Sequence, residues 1–348
     1  MKPSRTLLAW LCMVGVPMAA FSAPRRVIID TDPGVDDAIA LLMAMRSPDL
    51  KIEGITPVAG NVPLEFTLPN ALRLLEIADR PDIPVAAGAS RPLVRKLVTA
   101  SYAHGDNGLG GVVLPEPRIK PIATPAAQFI REIVHKYPHE VSIIAIGPLT
   151  NVAQALRDEP GVAELIDEVV IMGGSLSGGN ITPAAEFNVY VDPEAARIVF
   201  HSGLKLTMVG LDPLREGGLT EEDVRKLAAS NKKVAQAAAR FLLPGLERAK
   251  ARGINRPRGL PDPAAMAAFL DRSLFQYEQV YIDVETSGEL TAGMTVAYRS
   301  APMRRSPPSL GQPDNSFLIS DTFQPNCSAA IHVDGPRWEK FMMDLLLQ

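Results

Sequence analysis

The chain has 348 residues, 47% of them apolar and 21% charged, with a formal net charge of −4. That apolar mass suffices for one large core, and the acidic balance argues against a nucleic-acid partner, because phosphate binding calls for a basic face. Of the two cysteines, Cys12 falls in the leader described next, so the remainder carries Cys327 alone and no intramolecular disulfide is expected.

The chain opens on a secretory plan. Lys2 and Arg5 make a positive start, residues 7–16 an apolar stretch, and residues 18–23 a mostly small-residue segment that suits cleavage. The apolar stretch is shorter than the ~20 residues that span a bilayer. Residues 1–23 are therefore expected to be a signal peptide and residues 24–348 a single domain, secreted or periplasmic and free of the membrane after cleavage. Loss of Lys2 and Arg5 leaves that domain more acidic still.

Short β-branched runs predict strands at residues 26–30, 51–58, 83–86, 141–146, 168–172 and 204–209. Apolar residues at helical spacing predict helices between them, at residues 38–45, 70–78, 125–137, 151–156 and 193–201. The βαβα alternation reads as an α/β fold, a Rossmann-like open, mostly parallel sheet with helices on both faces. Further on, residues 220–250 read as helices, with Thr220 as cap and Glu221, Glu222 and Asp223 in the first turn. Residues 300–314, rich in Pro, Ser and Arg, read as an exposed loop. Several strands run into polar or glycine-rich turns, at residues 59–61, 147–151 and 173–174 and at Asp212. In an open α/β sheet such ends share one edge and converge on a pocket.

The densest chemistry follows the first strand. Asp30, Asp32, Asp36 and Asp37 put four carboxylates into eight residues. Carboxylates held this close raise one another's pKa unless a cation or hydrogen-bond donors compensate. A helix start satisfies an Asp or two as cap or dipole partner, but not four. A hard, oxygen-liganded cation, Ca²⁺ rather than Mg²⁺, answers the whole set.

The stretch Asp30-Thr31-Asp32-Pro33-Gly34-Val35-Asp36-Asp37-Ala38 resembles the opening signature of the nucleoside hydrolases of the inosine-uridine-preferring superfamily. In that family's order follow Val58-Ala59-Gly60-Asn61, Asn70-Ala71-Leu72-Arg73-Leu74-Leu75, His104-Gly105-Asp106-Asn107-Gly108-Leu109-Gly110, Gly147-Pro148-Leu149-Thr150-Asn151 and Ile171-Met172-Gly173-Gly174. Asn180-Ile181-Thr182-Pro183-Ala184-Ala185-Glu186-Phe187-Asn188 and Val191-Asp192-Pro193-Glu194-Ala195-Ala196 complete the series, and the resemblance runs from about residue 26 almost to the C-terminus.

The resemblance implies the nucleoside hydrolase fold and calcium-dependent hydrolysis of the N-glycosidic bond of ribonucleosides, releasing ribose and free nucleobase in nucleoside salvage. It also implies a homodimer or homotetramer. Carried onto matching positions, the Ca²⁺ ligands would be Asp32, Asp37, the backbone carbonyl of Thr150, and Asp262, with Asp32 taking the proton of the attacking water. Asp36, Asn61, Met172, Asn180, Glu186 and Asn188 would contact the ribose, His104 the base, and Asp30 would support the ligands from behind. Glu186 and Asn188, two apart in a segment read as extended, are expected to face the same side.

One position departs from the family pattern. Many members carry His immediately before the last metal-binding Asp, and a purine-selective subgroup carries Trp; this chain has Pro261. Proline neither donates a proton nor stacks as an aromatic does, which leaves the departing base to His104, to a residue of the 220–259 region, or to solvent. The nucleobase is thus open, and so is an alternative: a nucleoside-binding protein of the same fold with impaired catalysis. A third reading, an aspartate-based phosphohydrolase, lacks the late acidic pair and the phosphate-binding Lys it needs.

Overall fold

The structure is a computed structural model that describes residues 23–253, 259–299 and 324–348. Except for Ala23, the expected leader lies outside the described residues, as does the loop expected at 300–314.

In chain order the elements are β1 (Arg25–Thr31), α1 (Val35–Arg46), β2 (Leu50–Pro57), α2 (Leu64–Ile77), α3 (Ser101–His104), α4 (Ala126–Lys136), β3 (Val141–Ala145), α5 (Thr150–Asp158) and β4 (Ile166–Met172). There follow α6 (Phe187–Val191), α7 (Pro193–Phe200), β5 (Leu206–Val209), α8 (Glu221–Ala229), α9 (Lys233–Ala251), α10 (Pro261–Leu270), β6 (Phe275–Val284), β7 (Thr295–Arg299), β8 (Cys327–Val333) and α11 (Gly335–Leu347).

The strands form one sheet in the order β2-β1-β3-β4-β5-β8-β6-β7. From β2 through β8 every pairing is parallel. The predicted mostly parallel sheet is thus present, extended by an antiparallel end in which β6 pairs with β7 and β8. Periodicity did not reveal that end, because β6 mixes buried and half-buried positions with polar residues throughout. The strand expected at 83–86 is reduced to single bridges from Val85 to Ile55 and Ala86 to Ile122. Pro84 explains this: it has no N–H for a ladder and contributes only its carbonyl, to Ile55 N–H at 3.0 Å.

Alternate β1 side chains feed two apolar layers. Val27 and Ile29 join α1, α2, α9, α10 and α11 on one face, and Ile28 joins α4, α5 and α7 on the other. Two helices are apolar almost all round, as befits central elements: α1 buries residues 37–45 and α10 buries residues 262–269. These two pack on each other. Each buried Ile or Leu of α1, such as Ile39 and Leu42, contributes about 1.5–3 kcal/mol. Among the described residues no helix is long and apolar enough to cross a membrane.

Strand order places the crevice. From β1 the chain moves outward to β2 and then returns to β3 on β1's other side, with α1 on one face and α5 on the other. The loops after β1 and β3 therefore diverge, and a crevice opens at the carboxyl ends of these strands, where open α/β sheets bind ligands.

Candidate active site

Pro33 and Gly34 end β1 and start α1, and the first turn of α1 turns Asp37 back onto the strand end. Its Oδ1 accepts from the Thr31 hydroxyl at 2.7 Å and from Asp32 N–H at 3.2 Å. Oδ2 accepts from Gly34 N–H at 2.9 Å and from the Asn61 amide at 2.9 Å. Asn61 also donates its backbone N–H to Asp32 Oδ2 at 2.6 Å. After these bonds, Oδ1 of Asp32 and Oδ1 of Asp36 are buried with no hydrogen-bond partner among the described residues.

Glycine is required at the ends of β2 and β3 for Asp32 to fit. A Cβ on Gly60 would fall 2.0 Å from Asp32 Oδ2, and one on Gly147 would fall 2.7 Å from Oδ1. Behind the cluster, Asp30 Oδ2 accepts from the Thr56 hydroxyl at 2.5 Å and the Asn151 amide at 2.8 Å, fastening β1 to β2 and α5. Burial pushes the Asp30 carboxyl up to about 7 against the pull of those two donors.

Asp262 arrives from the first turn of α10, and Asp36, Asp37 and Asp262 each present an oxygen within 4.8 Å of the others. Burial raises Asp262 well above the usual carboxylate range, and Asp36, Asp37 and Asp32 raise it further. Asp32 is likewise raised well, by burial and then by Asp37, and Asp37 is raised by burial and then by Asp36. Two helix N-termini converge here, each equivalent to roughly half a positive charge. They offset part of this repulsion, but among the described residues the leading influences on Asp32 and Asp262 include no cationic side chain. A hard oxygen donor set with unpartnered buried oxygens fits a divalent cation.

Pro261 occupies the first position of α10, where its missing N–H is no loss and its fixed φ favours the helix start. Thr150 opens α5; its hydroxyl donates to Asp192 Oδ2 at 2.7 Å, leaving the backbone carbonyl as the oxygen it can offer a cation. Asp192 also accepts from Leu93 N–H at 2.9 Å and caps α7 through Ala195 N–H at 3.0 Å.

The opposite wall comes from the β4 end and α6. The segment expected to be extended is instead a helix start: Glu186 caps α6, and Asn188 stands in its first turn. Glu186 accepts from Asn188, Val189 and Gly174 N–H at 3.0, 3.1 and 3.0 Å, so capping and not strand alternation aligns the two residues. Burial still pushes the Glu186 carboxyl up to about 7. Asn188 donates its amide to the carbonyls of Ile146 and Met172, at 3.2 and 3.1 Å. Asn180 is set by a tight turn in which its N–H meets Ala185 O at 3.1 Å.

One cavity gathers Asp36, Asn61, Met172, Asn180, Glu186 and Asn188, and His104 and Asp262 line it too. Asp32, Asp37 and Thr150 do not line it; they lie fully or almost fully buried. His104 accepts Val35 N–H on Nδ1 at 3.1 Å, while Asp36 Oδ1 lies 3.5 Å from the same nitrogen. The backbone group can only donate, so Nδ1 is the acceptor and the neutral ring carries its proton on Nε2. Tyr102, Ala100, Ala103 and Phe187 also line the cavity and escaped the sequence reading. The signal available for Tyr102 was its place two residues before His104.

Comparisons with known proteins agree with this geometry. Residues 27–340 match the family model described as inosine-uridine preferring nucleoside hydrolase. The pyrimidine-specific ribonucleoside hydrolase RihA of Photobacterium profundum is 45% identical over 279 residues, which cover 79% of this chain and 89% of that protein. Among solved structures, a plant nucleoside hydrolase, the PpNRh1 enzyme, is similar at a TM-score of 0.83 and 34% identity, covering 93% of this chain and 99% of that one. A purine-preferring ribonucleoside hydrolase from Gardnerella vaginalis is similar at a TM-score of 0.82 and 29% identity, covering 93% and 98%.

Proposed function

Because this chain belongs to the inosine-uridine preferring nucleoside hydrolase family, and is a ribonucleoside hydrolase, we propose that it acts with calcium on pyrimidine ribonucleosides in nucleoside salvage. The observation that carries this reading is the one cavity that Asn61, Met172, Asn180, Glu186, Asn188 and His104 share with Asp36 and Asp262 of the carboxylate cluster. Pyrimidine preference is supported by the similarity to RihA proteins, 42–45% identical and pyrimidine-specific by name.

Asp32, Asp37, the Thr150 carbonyl and Asp262 would hold the Ca²⁺, with Asp36 adding an oxygen to the same cluster. When bound, the cation supplies the charge that makes a water acidic enough to attack at neutral pH. Asp32 takes the proton of that water through its unpartnered buried oxygen. The sugar gains oxocarbenium character as its bond to the base lengthens. Glu186 and Asp36 present negative charge to it, Asn61, Asn180 and Asn188 hold its hydroxyls, and Met172 packs beneath. His104 directs Nε2–H at the departing base, the role left to it by Pro261. The leader-like residues 1–23 support a secreted or periplasmic protein, and the family resemblance supports a homodimer or homotetramer.

Free ribose released from uridine, cytidine, inosine and adenosine, with and without a calcium chelator, tests the proposal. Uridine and cytidine should lead, and chelation should stop release. Turnover that survives chelation overturns the calcium assignment, and faster purine turnover overturns the base preference. No ribose release, together with calorimetric uridine binding, favours a binding protein.

A further inference from the structure

We infer that Tyr102 holds the nucleobase in the cavity by stacking; the inference rests on the ribonucleoside reading above. The lining combines carboxylates and amides suited to a sugar with apolar groups, and the segment 100–104 contributes two rings and two alanines to it. A nucleobase presents a π-face whatever its substituents, and an aromatic ring is the partner that face calls for.

Three described ring side chains line the cavity: Phe187, His104 and Tyr102. Phe187 is buried and packs with Ala100 and Val191, and His104 is tied through Nδ1 to Val35. Tyr102 is 69% exposed, and its phenol makes no hydrogen bond among the described residues. Pro261, also on the wall, offers an apolar surface that is not aromatic.

The ring is carried on a held element. Ala100 N–H donates to Asn61 O at 2.9 Å just before α3, and Asn61 is itself bonded to Asp32 and Asp37. Immediately after Tyr102, the Ala103 carbonyl accepts from Arg248 of α9 at 2.9 Å, and His104 is anchored on Val35. Gly105, at φ 75°, ends the helix as glycine can. A large ring left exposed on a backbone fastened on both sides of it is preorganised for a ligand, and the fastening runs to the carboxylate floor that positions the sugar.

Tyr102→Ala and Tyr102→Phe, compared on uridine and cytidine in saturating calcium, test this. The alanine variant should raise KM about tenfold with kcat within about twofold, a change equal to about 1.4 kcal/mol and at the low end of base–aromatic stacking. The phenylalanine variant should keep KM within about twofold, since the ring and not the hydroxyl does the holding. Competitive inhibition by free ribose should be the same in all three proteins. An unchanged KM in Tyr102→Ala overturns the inference, as does a loss of ribose affinity that parallels the loss of nucleoside affinity. If the wild type turns over purine nucleosides instead, pyrimidine preference fails while the same KM comparison on inosine still decides on Tyr102. If it turns over none, calorimetric titration with uridine makes the comparison.

Discussion

The backbone N–H of Val35, at the first residue of α1, donates to Nδ1 of His104 at 3.1 Å. One hydrogen bond thus links the β1–α1 junction that carries Asp32, Asp36 and Asp37 to the helix that carries Tyr102 and His104. It also sets the chemistry of the ring, because an Nδ1 that accepts leaves Nε2–H as the donor to a ligand.

His104→Ala should therefore lower kcat on uridine by about 10²-fold, the usual effect of losing one donor aimed at developing negative charge. A 4-nitrophenyl riboside, whose leaving group needs no such donor, should lose far less. His104→Gln, which keeps an N–H, should recover part of the uridine rate. Steady-state kinetics on both substrates checks this; equal losses on the two would refute a role in base departure.

Calcium should stabilise the protein. At a free concentration near 100 times its Kd it adds about 2.7 kcal/mol to the unfolding free energy and raises Tm by several degrees. Asp37→Ala should abolish both the shift and the activity, because Asp37 presents an oxygen within 4.8 Å of those of Asp36 and Asp262. Scanning calorimetry with calcium and with chelator measures it. A wild-type Tm indifferent to calcium would sink the ion assignment.

Glu186 should make stability in chelator depend on pH. Its folded-state carboxyl is raised by burial from the ordinary 4.5 to about 7. The folded state therefore binds the extra proton, and its advantage is complete below pH 4.5 and lost as pH rises through 7. The loss amounts to about 3 kcal/mol across that window. The buried aspartates of the cluster act in the same direction. Urea midpoints at pH 5 and pH 8 should fall with pH in the wild type and fall less in Glu186→Gln; an identical slope in the two proteins would discount Glu186.

Gly60→Ala should cripple the enzyme without replacing any charged residue. The new Cβ would stand 2.0 Å from Asp32 Oδ2, so either Asp32 or the strand end must move. Overpacking of this kind destabilises by about 1–3 kcal/mol, and displacement of the base should reduce kcat by at least about 10²-fold. Gly161→Ala, whose Cβ meets nothing within 4 Å, serves as the control. Near-wild-type kcat in Gly60→Ala would mean that the position of Asp32 is not critical.

Much of the fold was readable from the chain because its cues are local. β1, α1, β3, α5, β4 and α7 each show their period within a dozen residues, and the capping box of Thr220 and Asp223 lies within four. The carboxylate cluster was equally legible, since four acids in eight residues pose an electrostatic problem before any fold is known. Where neighbours along the chain misled, a backbone detail was responsible. Pro84 withheld an N–H from an expected strand, and the Glu186 carboxylate, by capping the N–H groups of Asn188 and Val189, turned an expected extended segment into α6.

What local pattern could not supply is the meeting of distant residues. Asp262 reaches Asp37 because two nearly all-apolar helices, α1 and α10, bury against each other and bring their N-termini to one point. Pro261 reads in the sequence as a missing acid or aromatic, and in the fold as the residue that starts that second helix. The antiparallel end of the sheet, the Val35–His104 bond and the exposed ring of Tyr102 are likewise settled by packing. Spacing along a chain encodes which face a residue shows its own element, whereas the geometry between elements comes from burying those faces together.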